Sequence, residues 1–281
     1  MTAETDRELL STEASSVVAM NTDLLSRLRG GCDPAAERSL AHADLRGTNL
    51  SGRSLAFVSL AHANLDGADL SGAHLRQVDL SHASLREACL ERAHLELVDA
   101  AGTCLAGARA SRSRWELADL TLADMTGIDL SHALLRNCEL RSARLDGANL
   151  TLSTLGRCNC RDSRFCGALI DRVNATGSGL EGADFSGARR FCTCREVLVE
   201  LMRREIGRDL SRARLVGAFA LVEEWCYAVW ARILEFEPHY REVLYELFRR
   251  YPESGFDEAL ARGAEPPPES ETEPGPDSTP A

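Results

Sequence analysis

The chain has 281 residues, 44% of them hydrophobic, which suits one or two domains with a sizeable core and excludes a disordered chain. No stretch approaches the roughly 18 uninterrupted apolar residues of a membrane span; the most apolar one, 215–236, is broken by Glu223, Glu224 and Arg232. The formal charge is −11, divided as 7 acids against 3 arginines over 1–37, 18 against 18 over 38–190 and 18 against 11 over 191–281, with no lysine anywhere. A neutral middle with acidic ends disfavours direct nucleic-acid binding.

In chain order, the first segment opens MTAETDRELL, too acidic and polar for a secretory signal. Leu24, Leu25 and Leu28, followed by Gly30-Gly31, predict a short helix in a partly helical N-terminal cap over 1–37. Ten cysteines lie scattered without the spacing of a disulfide framework, so reduced thiols and a cytoplasmic location are expected.

Residues 38–190 are repetitive. Every fifth position from 40 to 185 is a repeat centre, thirty in all, of which 21 are Leu; Trp115, Met125, Phe165, Ile170 and Phe185 are among the others. The residue two before each centre is nearly always small, Ala in 15 of the thirty. On an α-helix five residues advance about 500°, so the leucines would spiral around the surface. On a flat strand an odd step puts successive leucines on opposite faces. The chain must therefore turn once per unit, with centres inward. A second period of 20 appears in Gly47, Gly67, Gly107, Gly127, Gly147, Gly167 and Gly187, interrupted by Glu87, and in Val58, Val78, Val98 and His42, His62, His82. Four units thus close one coil, and the glycine column marks a corner suited to φ > 0.

The units Ala43-Asp44-Leu45, Ala63-Asn64-Leu65, Ala68-Asp69-Leu70 and Ala148-Asn149-Leu150 resemble the pentapeptide-repeat family, whose pattern is A(D/N)LXX. The resemblance covers about 150 residues. It implies a β-solenoid, a right-handed quadrilateral β-helix of about seven to eight coils. Thirty units give seven and a half coils, a rod about 36 Å long at a spacing of about 4.8 Å between strands.

After Arg190 a helical period begins, with one stripe of Val197, Leu198, Leu201 and Met202 and a longer one that includes Trp225 and Trp230. Pro238 suits the start of a third helix, carrying Val243, Leu244, Leu247 and Phe248, which Pro252 stops. Residues 191–263 are expected to form an α-helical cap or a dimerisation region, with Trp225 and Trp230 candidates for a homodimer interface. Gyrase-binding members of the resembled family pair two rods through a C-terminal helix; the segment here is longer. Residues 264–281, with six prolines and five acids, are expected to be disordered.

Among outward positions, Asp79, Asp99, Asp119 and Glu139 fall in one column on successive coils. Carboxylates about 4.8 Å apart repel by roughly 1 kcal/mol per adjacent pair in water. Either the family preference for Asp or Asn before leucine puts them there, or the column meets a basic partner. On the neighbouring face Arg53, Arg76, Arg114, Arg136 and Arg157 outnumber Glu96 and Glu116, and Phe57, Leu97, Leu117 and Leu134 are expected to be outward and apolar, covered by a terminal segment or by a partner. His42, His62 and His82 share a corner without supporting carboxylates, and the Cys158-Asn159-Cys160 and Cys192-Thr193-Cys194 spacings are not those of zinc knuckles, so no metal or cofactor is expected. Cys138, Cys158 and Cys160 fall at inward positions as small core residues. No phosphate loop or nucleophile motif appears. The expected function is a non-enzymatic protein–protein interaction scaffold. The alternative is a DNA mimic that binds DNA gyrase or topoisomerase and confers resistance to gyrase inhibitors; the acidic column favours it and the neutral repeat region counts against it.

Overall fold

The quarter turn predicted for each unit has a single backbone cause. All thirty residues that stand two positions after a centre have φ between +52° and +74°, and only twelve of them are glycine. The glycine column, with Glu87 at +55°, is thus one of four equivalent corner columns, and side chains are accepted in the left-handed region at the others. On three sides of the coils the turn closes, at every described corner but that of Ile170, by a hydrogen bond to the carbonyl of the centre, as from Thr48 N–H to Leu45 (3.2 Å) and from Ala63 N–H to Leu60 (2.9 Å). Left-handed φ at the third residue makes these type II turns.

The fourth side differs. Among the described residues its corner lacks that bond from Phe57 to Arg157, and three-residue strands form instead: β1 Ser54–Ala56, β2 His74–Arg76, β3 His94–Glu96, β4 Arg114–Glu116, β5 Leu134–Arg136 and β6 Thr154–Gly156. They pair in parallel, in chain order, with a register of 20 residues: Leu55 faces Leu75, which faces Leu95, then Trp115. Single-residue bridges carry the same register along the other sides, from Ser39–Ser59 to Leu169–Arg189. The regular ladder is shorter than the coil count read from the centres. After β6, Ser178 N–H bonds to the Ala175 carbonyl (3.0 Å), so that corner closes as a turn and only the bridge from Thr154 to Asn174 continues the side.

The chain is therefore a parallel β-solenoid followed by a helix. A computed structural model describes residues 39–206, together with Leu244, Arg249 and 252–254. The N-terminal cap over 1–37, Trp225, Trp230 and the tail over 264–281 lie outside the described residues.

Centres and the positions two before them line the interior. Arg53 is an exception: it occupies an inward slot in the first coil, yet it is exposed. The coil with the largest centre, Trp115, has Ala100 and Ala110 at two of its other centres, so volume is conserved within the coil. Beyond the last coil, a 3-10 turn, Phe191–Thr193, leads into α1, Arg195–Ile206, whose Val197, Leu198, Leu201 and Met202 are buried. Arg204 anchors α1 to the solenoid by donating to the carbonyls of Ala183 (2.6 Å) and Leu180 (3.1 Å). The Ala183 carbonyl belongs to the last, half-complete coil, where no further coil follows to donate to it, whereas the Leu180 carbonyl also closes its own turn with Ala183 N–H (3.1 Å).

Candidate partner-binding face

Between the corner of Phe57, Leu97 and Leu117 and the corner of His42, His62 and His82 lies the side that carries Asp79, Asp99, Asp119 and Glu139. The structure stacks these four as successive parallel bridge partners. Local chemistry explains why Asp recurs. The first corner residue of a unit has an N–H that the turn leaves unpaired, and the carboxylate two residues earlier accepts it. Ser81 donates to Asp79 (3.0 Å), Ala101 to Asp99 (3.1 Å) and Thr121 to Asp119 (2.9 Å). Asn serves equally, as at Asn49, Asn64 and Asn149. The fold therefore asks for an Asx oxygen in this column, not for a charge.

Asp79 also accepts from the hydroxyls of Ser81 (2.6 Å) and Ser59 (3.0 Å). Burial pushes its carboxyl up, but these bonds and nearby His62 outweigh that and hold it below its ordinary value. Glu139 accepts from Asn159 (2.8 Å), and Arg161 turns away from the column to pair with Glu181 (3.1 Å).

Phe57, Leu97 and Leu117 are exposed and share one corner, all at positive φ. Leu134 is outward as well, but on β5 rather than at that corner, and half-buried. Leu122 and Leu152, which periodicity did not single out, are exposed at two other corners. The signal that finds them is their place two residues after a centre. His42, His62 and His82 stack with ring centroids 4.9 and 5.1 Å apart, and the ladder ends where the His82 ring lies over Gly102. Among the described residues no His, Cys, Asp and Glu group has metal-site geometry. Cys138, Cys158 and Cys160 are buried; burial, with the negative charges of neighbouring groups, pushes the Cys160 thiol up to about 12. These thiols are packing groups rather than nucleophiles.

A family model for pentapeptide repeats matches eight copies that together span residues 39–189, more than half of the chain. The chain belongs to the pentapeptide-repeat family. Among solved structures it is similar to QnrB1, a plasmid-mediated fluoroquinolone resistance protein (20% identity over 58% of this chain and 83% of that one, TM-score 0.32). It is also similar to HetL from the cyanobacterium Nostoc sp. strain PCC 7120, a pentapeptide repeat protein involved in heterocyst differentiation regulation (29% identity, 54% and 82%, TM-score 0.21). A third is Rfr23 from the cyanobacterium Cyanothece 51142 (23% identity, 59% and 92%, TM-score 0.21). A comparison with curated proteins gave no match.

Proposed function

We propose that this pentapeptide-repeat protein is a non-enzymatic, cytoplasmic scaffold that binds another protein through the side carrying Asp79, Asp99, Asp119 and Glu139. One observation carries the reading. The column keeps four charges in register, although the turns at Asp79, Asp99 and Asp119 need only an oxygen that Asn supplies equally. The interior is filled with Leu and Ala side chains, so recognition belongs to the outer faces. Reduced cysteines agree with a cytoplasmic setting: seven are free among the described residues. No described helix is long and apolar enough to cross a membrane.

The test compares the native chain with the fourfold variant Asp79→Asn, Asp99→Asn, Asp119→Asn and Glu139→Gln in affinity capture from the native cytosol. A protein retained by the first and lost by the second is expected; an identical set of captured proteins retires the reading. The same acidic column supports a second reading, in which it stands in for DNA phosphates and binds gyrase. A supercoiling assay with and without a gyrase poison decides that one, and no effect at large molar excess ends it. Homodimerisation through the segment carrying Trp225 and Trp230 is a separate proposal, checked by light scattering on the full chain; a monomeric mass rejects it.

A further inference from the structure

Along the sides of the solenoid, backbone hydrogen bonds run from each coil to the coils before and after it, as from Leu97 N–H to Glu116 (2.9 Å) and from Leu117 N–H to Arg136 (3.0 Å). A partner lying on a side has no strand edge to extend, since unpaired edges occur only at the ends of the stack. It must be read through side chains.

Around Asp99 and Asp119 the side chains form a defined relief. Leu97 and Leu117 stand one above the other at one corner, 41% and 53% exposed, and Leu122, 67% exposed, stands at the next corner. Their φ values are +54°, +56° and +60°. The left-handed region costs an L-residue roughly 1–2 kcal/mol and glycine almost nothing. The chain uses glycine in these same two columns, at Gly177 and Gly102. Each leucine thus combines backbone strain with apolar exposure, neither of which the fold requires. Carboxylates frame them: Asp99 and Asp119 lie between the two corners, and Glu96 and Glu116 lie on the far side of Leu97 and Leu117. Glu96 approaches Arg76 (3.8 Å), while among the described residues no ion pair reaches Asp99, Asp119 or Glu116.

The dimensions favour one form of partner. Leu117 and Leu122 are five residues apart, so the platform is no wider than about 18 Å, and an α-helix is about 10–12 Å across. Stacked corner residues repeat at about 4.8 Å, close to the roughly 5–6 Å between seam residues three or four apart on a helix. We infer that this face receives a cationic amphipathic α-helix. Its apolar seam seats on Leu97, Leu117 and Leu122, and its flanking Lys or Arg side chains meet Asp99, Asp119 and Glu116. The inference rests on the reading that this side binds a protein, and it adds the form of what is bound.

The probes are two labelled 18-residue Leu/Lys peptides of one composition. In one the leucines fall at helical spacing; in the other the order is scrambled so that no apolar face forms. Fluorescence anisotropy with the full chain is expected to show the amphipathic peptide binding at least tenfold more tightly than the scrambled one. Leu97→Asn with Leu117→Asn should weaken binding at least tenfold at an unchanged or higher melting temperature, because Asn tolerates positive φ. Asp99→Asn with Asp119→Asn keeps the oxygens that accept from Ala101 and Thr121, so it should weaken binding and flatten its salt dependence without unfolding the chain. Leu152→Asn, at a different corner, should leave peptide binding unchanged. Equal binding of the two peptides, binding that survives the double leucine variant, or no binding of either peptide overturns the helix inference. If peptide binding fails while the cytosolic capture still depends on the acidic column, the broader reading stands and the helix does not.

Discussion

Trp115 fills a centre that is leucine in most coils, and its indole brings a donor into an apolar interior. Its Nε1–H donates to the Ser113 hydroxyl (2.8 Å), which donates in turn to the Ala110 carbonyl (2.6 Å). Ser113→Ala orphans the indole N–H and should destabilise the fold by about 1–3 kcal/mol, measured by urea denaturation. Sequence periodicity places Trp115 inside; the need for Ser113 follows only once the two side chains are seen together. The acidic column makes the reverse point. Asp119→Asn keeps the acceptor for Thr121 N–H and should leave the denaturation midpoint unchanged, whereas Asp119→Ala should lower stability by about 0.5–1.5 kcal/mol. Equal effects of the two would mean that the charge, and not the oxygen, serves the fold.

At the scale of elements, α1 shows how a solenoid end is closed. The Ala183 carbonyl has no following coil to donate to it, and Arg204 supplies that donor and a second one to the turn-bonded Leu180 carbonyl, while Glu200, one turn earlier, holds its guanidinium (2.9 Å). Thr193 adds to the same closure: its hydroxyl donates to the Arg190 carbonyl (2.9 Å) and accepts from Arg172 N–H (2.7 Å). Arg204→Ala should destabilise by about 1–3 kcal/mol and promote end-to-end association, seen as a lower melting temperature and a concentration-dependent mass in light scattering. An unchanged melting temperature would show that buried Leu198 and Met202 close the end without it. The helical stripe of α1 is legible in the sequence, but nothing in the periodicity singles out Arg204.

For the whole molecule, carboxylates link stability to acid. Five of the described aspartates are held below their ordinary value. For Asp44 the main cause is the Arg46 guanidinium, for Asp69 and Asp184 the hydroxyls of Ser71 and Ser186. At Asp79 and Asp124 burial opposes the shift and the bonds from Ser81 and Thr126 outweigh it. A carboxyl that is more acidic in the folded chain stabilises it above the unfolded pKa of about 3.9, and that contribution fades as pH falls through the folded values. The melting temperature should therefore hold near neutrality and decline below about pH 4, and Asp184→Asn should flatten the decline. Stacking by nearest neighbours also predicts that deleting residues 139–158, one whole 20-residue step of the register, leaves a folded and less stable solenoid. A three-residue deletion in the same coil, which throws every later centre out of register, should abolish cooperative unfolding; circular dichroism melts separate the two.

What the sequence determined by itself was the beat. Leucine every fifth residue and glycine every twentieth admit only a chain that turns four times per coil, because burial of the centres and the reach of the backbone leave no other solution. That argument depends only on which side chains leave water, and a single chain records it. It does not say which corner residues bear strain, that one side forms strands while three form turns, or that Leu97, Leu117 and Leu122 frame Asp99 and Asp119. Those relations join residues 20 apart in the chain, at positions where the core imposes no residue type. Only the stacked backbone brings them to one surface.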